Sequence, residues 1–118
     1  MAKTYTLILG AVLLLIGIMG YVKGGAEMYG FGLTPTHNLI HVITGVLAIA
    51  AALTGMKFTR WFCLLFGAVY GLIAIAGFLN IPAVVTMFNL TMPDNILHLV
   101  VALSALYVGY TDKACCNA

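Results

Sequence analysis

Four long apolar runs decide what this chain can become. They extend from about Tyr5 to Val22, His37 to Leu53, Trp61 to Leu79 and Asp94 to Tyr110. Each is close to the roughly 20 residues that a helix needs to cross a hydrocarbon core of ~30 Å. Only 7% of the residues are charged and 64% are hydrophobic, whereas a soluble domain carries about 25% charged residues. Such a chain cannot cover a water-facing surface. The expectation is an all-α integral membrane four-helix bundle, a single transmembrane domain over residues 1–118, with the lipid bilayer as its first partner. A formal net charge of +2 is too small to point to nucleic acid.

The ends of the runs carry local signals. Lys3 before an apolar run imitates a signal peptide. No small-x-small site follows at the right place, and the run has a counterpart later in the chain, so it reads as a span. Lys23-Gly24-Gly25-Ala26-Glu27 breaks the first helix with two glycines. Thr34 is an expected N-cap with Pro35 at the first helical position, and Gly55 an expected C-terminal cap. Met56 to Trp61 reads as a short basic turn with an aromatic anchor. Asn80-Ile81-Pro82 ends the third run, and the apolar stretch Ala83 to Leu90 is too short to span, so it lies in the interface or against the bundle. Thr91 followed three residues later by Asp94 resembles a capping box.

An internal repeat gives the four runs an order. An offset of about 57 residues aligns the two halves without a gap, with roughly a third of the aligned positions identical. Leu9-Gly10-Ala11-Val12 meets Phe66-Gly67-Ala68-Val69. Phe31, Leu33, Thr34, Asn38 and His41 meet Phe88, Leu90, Thr91, Asn95 and His98. Apolar low complexity does not explain the matched Thr, Asn, His and Gly. The reading is a duplicated two-helix hairpin: residues 5–54 form repeat 1, 61–111 repeat 2, and 112–118 a short cytoplasmic tail. Each repeat crosses twice, so the repeats are parallel and related by a pseudo-twofold axis along the membrane normal. Gly10, Gly17 and Gly20 in the first span, and Gly67, Ala74 and Gly77 in the third, form stripes of small residues suited to close helix packing.

Basic residues orient the bundle. Lys3, Lys57, Arg60 and Lys113 fall on one side and Lys23 on the other. By the positive-inside rule both termini are cytoplasmic, and the ends bearing His face outward. Cys63, Cys115 and Cys116 have no framework spacing and read as free thiols. Cys115-Cys116-Asn117-Ala118 is not a prenylation box, because Asn117 is not aliphatic.

The polar exceptions cluster. All three histidines and one of the three acids lie in the repeated stretches, each of which contains Asn-x-x-His. Asn and His three apart share a helix face. His41 and His98 are equivalent positions, and His37 and Asp94 are equivalent one turn further out, about 6 Å higher. Three roles are open. Asn38 can bond His98, and Asn95 can bond His41, as a clamp across the axis. Alternatively His41 and His98 hold a haem, a chlorin or a metal ion, with His37 and Asp94 as outer ligands. In the third, the cluster is a polar site for a quinone head group or a proton path. No nucleophile–base pair, phosphate loop or carboxylate pair is visible, so nothing points to an enzyme.

Thr-Pro-x-His-Asn-Leu-x-His at Thr34–His41 and Asp-Asn-x-Leu-His at Asp94–His98, each leading an Ala/Leu/Gly-rich span, resemble a family of small bacterial four-helix membrane proteins classed only as a domain of unknown function. The resemblance covers nearly the whole chain. It implies a four-span protein of the bacterial inner membrane and supplies no activity. One departure is that His98 is followed by Leu99-Val100-Val101-Ala102, where a glycine is expected as in Thr44-Gly45. The leading expectation is a non-catalytic accessory or structural subunit beside other membrane subunits or self-associated. The alternative is a cofactor- or metal-binding redox protein built on His41 and His98, and a transporter comes third.

Overall fold

The structure is a computed structural model that describes residues 2–23, 27–28, 31–32, 34–88 and 90–111. Helices α1 (Ala2–Lys23), α2 (Pro35–Thr54), α3 (Met56–Phe78) and α5 (Met92–Thr111) are long and apolar enough to cross a membrane. At a rise of about 1.5 Å per residue each is about 30–35 Å long, which matches the hydrocarbon core. Between α1 and α2, β1 (Glu27–Met28) pairs antiparallel with β2 (Phe31–Gly32), a ladder too short to change the all-α character. The fifth helix is α4 (Pro82–Phe88). The expected tail 112–118, the glycine break at 24–26 and Leu33 lie outside the described residues.

Local chemistry sets the helix ends. Thr34 caps α2: its hydroxyl oxygen accepts the His37 N–H at 3.3 Å, and Pro35 follows. The Gly55 N–H closes the helix on Ala51 O at 3.3 Å. The stretch expected as a basic turn, Met56 to Trp61, is instead the start of α3, because Gly55 alone makes the connection. The Thr59 hydroxyl lies 2.8 Å from Gly55 O and 3.1 Å from Ala51 O, so it adds a second donor to two carbonyls at the tight turn that already accept backbone N–H groups. The other end of α3 is a Schellman motif. Asn80 takes the left-handed conformation (φ 58), its N–H reaches Gly77 O, and the Ile81 N–H reaches Ala76 O. Pro82 then starts α4. On α5 the capping box forms: Asp94 Oδ2 accepts from the Thr91 N–H (3.0 Å) and hydroxyl (2.9 Å), and the Asp94 N–H returns to Thr91 Oγ1 (3.4 Å).

The helices pack chiefly in the pairs α1–α2 and α3–α5. Small residues set these contacts. A Cβ on Gly45 would lie 2.7 Å from Gly10 O, and one on Gly10 would lie 2.9 Å from Gly45 O, so only two glycines allow these backbones so close. Gly17 faces Val42 and Gly67 faces Leu106 in the same manner. Ala102, 1% exposed, supplies the small residue on α5 where a glycine was expected. The two pairs meet along a thin seam. Leu13, Tyr70 and Ala102 form its middle, and Ala2, Cys63 and Val108 form one end. Near that end Thr6 Oγ1 lies 3.2 Å from Cys63 Sγ, and the Tyr5 hydroxyl lies 2.6 Å from Ser104 Oγ. Large side chains such as Leu15, Leu53 and Leu72 point outward, as lipid-facing positions do.

Candidate metal centre

At the opposite end of the seam the chain buries its histidines. His37, His41 and His98 are 2%, 2% and 4% exposed. His37 and His41 lie one turn apart on α2, a spacing that puts two imidazoles on one face. His98 comes from the first half of α5. Ring centroids are 4.3 Å apart for His37–His41, 5.5 Å for His37–His98 and 6.3 Å for His41–His98. Each ring offers a nitrogen to a group in which all donors lie within 4.8 Å of one another. About an ion held by nitrogens at ~2.0–2.1 Å in tetrahedral directions, donors stand roughly 3.3 Å apart. The widest donor separation here is thus at most about 1.5 Å more than that around a bound ion.

The walls are apolar and aromatic. Tyr70 on α3 sets its ring 5.5 Å from His98, and Phe88 at the end of α4 sets its ring 5.6 Å from His37. With Ile40 and Ile73 they enclose about 10 Å³, close to the ~10–15 Å³ that a single water requires. This space fits an ion with at most one small further ligand. As it stands, the space is smaller than a haem or chlorin macrocycle or a quinone ring. His41 Nδ1 and His98 Nδ1 are buried with no hydrogen-bond partner among the described residues. Unpaired polar atoms are rare in a protein interior and costly in hydrocarbon, so these two nitrogens call for a ligand.

The structure rearranges the expected roles. His37, placed at a wet outer layer by its sequence position, is instead buried at the centre, because α4 folds back and Phe88 covers it. Asp94, expected as an outer ligand, is outside the cluster of three, and its carboxylate is engaged with Thr91. Among the described residues no Asn38–His98 or Asn95–His41 bond forms. Each asparagine turns to its own hairpin partner instead. A Cβ on Gly20 would fall on the Asn38 carboxamide, and one on Gly77 would fall on that of Asn95. The missing side chain at each glycine is the space that the asparagine fills. Tyr70 and Phe88 escaped the sequence reading. A tyrosine in mid-span was the available signal for the first, since its hydroxyl is unusual at that depth; nothing local marks Phe88.

In comparisons with known proteins, residues 3–111 match the family described as Domain of unknown function (DUF4383). No curated protein and no solved structure matches the chain.

Proposed function

The chain therefore belongs to a family with no assigned activity, and we propose that it is a multi-pass membrane protein that binds one transition-metal ion through His37, His41 and His98. The observation that carries this reading is the convergence of three buried imidazoles, two of them with an unpartnered Nδ1. An all-imidazole donor set suits zinc, copper, iron or nickel, and a bound ion supplies Lewis-acid or electron-transfer chemistry. The protein's own part is to fix the donors on two helices and exclude water with Phe88, Ile40 and Ile73. Because His37 and His41 come from α2 and His98 from α5, an ion joins the two hairpins and stabilises the fold by mass action.

Several contacts support a duplicated hairpin with a pseudo-twofold axis along the helices. A residue on such an axis meets its own equivalent. Thr6 meets Cys63, Leu13 packs with Tyr70, and His41 approaches His98; each pair is offset by 57 residues. Gly20–Asn38 and Gly77–Asn95 are the same contact in each half. The charge bias supports cytoplasmic termini in a bacterial inner membrane, with the histidine end outward. The shortness of the stretches between the four long helices supports work as a small subunit beside other membrane proteins.

The test is metal analysis of the full chain in detergent. After chelation, the protein is dialysed against zinc, copper(I) or cobalt(II), and bound metal is measured by mass spectrometry. The expected result is about one ion per chain, lost in His41→Ala and His98→Ala and retained in Asp94→Asn. No bound ion, or an ion that survives removal of all three histidines, overturns the proposal.

A further inference from the structure

The end of the bundle away from the histidines carries a second feature. Helices α2 and α3 are joined by Gly55 alone, yet each packs chiefly on another partner, α1 and α5 respectively. They leave an open furrow of about 730 Å³ between them, within the ~300–1,000 Å³ range of small-molecule sites. Leu47, Ala50 and Ala51 line it from α2, and Phe58, Trp61 and Leu65 from α3. Phe58 and Trp61 are each 60% exposed, so the furrow opens sideways, toward the bilayer.

Its length and charge describe an occupant. On α3 the wall runs from Phe58 to Ala68, about 15 Å at 1.5 Å per residue. That equals the depth of one leaflet, half of the ~30 Å hydrocarbon core. At the mouth, Lys57 stands one turn before Trp61 on the same stripe of α3 and is exposed. Arg60 lies on the next face, where its Nε donates to Gly109 O at 2.8 Å, which places the guanidinium group at this end of the bundle. Neither α2 nor α3 contains an acidic residue, so the charge these two helices bring to this end is positive. A second copy in the same orientation offers poor complementarity: Glu27 and Asp94 lie at the other end, and Asp112 is followed by Lys113.

We infer that the α2–α3 furrow is a binding site for an anionic phospholipid of the leaflet at this end of the bundle, with one acyl chain between the helices and the phosphate at Lys57. Trp61 sits at the headgroup level, where indole rings concentrate. The small side chains of Ala50 and Ala51 give the acyl chain its floor. This site is independent of the histidine cluster.

The test uses the full chain in detergent, titrated with phosphatidylglycerol or with phosphatidylcholine of the same acyl chains, and bound lipid is counted by native mass spectrometry. A basic residue near the headgroups favours anionic lipid by about fivefold. The parent is expected to prefer phosphatidylglycerol, and Lys57→Gln to narrow that preference by about fivefold. Ala50→Phe fills the floor from an exposed position and is expected to weaken both lipids alike while helicity is unchanged. Equal affinity of the parent for the two lipids overturns the inference, as does unaltered binding by a helical Ala50→Phe. A parent dimer that Ala50→Phe dissociates also overturns it and makes the furrow a protein interface. Should Ala50→Phe fail to fold, Lys57→Gln, changed only at an exposed side chain, still decides the headgroup claim.

Discussion

Replacing Gly77 by alanine tests the contact that locks α3 to α5. A Cβ there would fall on the Asn95 carboxamide, nearest its Oδ1, with Cγ at 2.7 Å and Nδ2 at 3.2 Å. Asn95 is 5% exposed, so its carboxamide has little open space to swing into, and either it or the helix pair must shift. Overpacking of this kind costs about 1–3 kcal/mol. Alanine in place of glycine returns about 0.5–1 kcal/mol of helix propensity. The expected net destabilisation of Gly77→Ala is then about 0–2.5 kcal/mol.

The second arm of the experiment is Asn95→Ala, which empties the space that a Cβ on Gly77 needs. In the double variant the new methyl group fits, so its loss is smaller than the sum of the single losses, with a coupling of about 1–2 kcal/mol. The measurement is reversible unfolding in mixed micelles, with dodecyl sulfate as denaturant and far-ultraviolet circular dichroism as readout. Free energies that add within about 0.5 kcal/mol refute the contact, and so does a Gly77→Ala variant more stable than the parent. The matching cycle at Gly20 and Asn38 should couple with the same sign. Coupling in one half only would mean that the halves do not share this contact and would remove one support for the duplication.

Three further outcomes are expected. His41→Gln keeps a donor and an acceptor but is a poor substitute for imidazole, so metal analysis of the purified variant should find the ion lost; retention of the ion at parent affinity would exclude His41 as a ligand. Gly17→Leu and Ala74→Leu should each lower the unfolding free energy by at least about 1–3 kcal/mol, since a Cβ on Gly17 already lies 2.6 Å from Val42 Cγ2 and Ala74 is fully buried; unchanged thermal stability would put that stripe against lipid. A membrane-impermeant maleimide should label Cys115 and Cys116 only after the membrane is opened, and labelling in intact cells would reverse the orientation.

What the sequence made legible was the chemistry of near neighbours. Thr34 with Pro35, and Thr91 with Asp94, announced two helix starts because a cap needs only residues three or four apart. The small residues of α1 and α3 announced packing faces because close approach in a bilayer depends on them. The failures share a cause, which is contact between distant segments. Met56 to Trp61 read as a turn because several residues normally reverse a chain, and here Gly55 alone does so, with the Thr59 hydroxyl reinforcing the carbonyls of Ala51 and Gly55. Helical rise placed His37 about 6 Å outside His41, and nothing local indicated that α4 would cover it with Phe88. Same-face logic put Asn38 and Asn95 beside the histidines, whereas the gaps at Gly20 and Gly77 draw both away. Those glycines were visible as a stripe; that each one accepts an asparagine is a fact of the folded pair.

The proposed third ligand stands where the two aligned stretches differ. Thr34 and Thr91 begin their helices alike, and three residues later the first half carries His37 where the second carries Asp94. Asp94 completes a capping box, and His37 joins the cluster of three histidines. Exchanging one role for the other separates binding from folding. His37→Asp gives α2 the same Thr-x-x-Asp start as α5, and the carboxylate there would accept from Thr34 as Asp94 accepts from Thr91. A carboxylate in the first turn also suits the positive end of the helix dipole, worth about 0.3–1 kcal/mol at exposed sites. Burial is no bar, since Asp94 itself is 1% exposed. The carboxylate offsets part of what the lost ring contacts with His41 and Phe88 cost, so the metal-free variant should unfold at a denaturant concentration near or somewhat below that of the metal-free parent. With two imidazoles left in place of three, its affinity for the ion should fall by at least about tenfold, the lower end of what even the loss of a supporting hydrogen bond to a metal ligand removes. Parallel denaturation and metal titrations check both halves of the statement. A variant that binds metal as the parent does would take His37 out of the site, and one that unfolds without metal far more easily than the parent would show that His37 serves the fold instead.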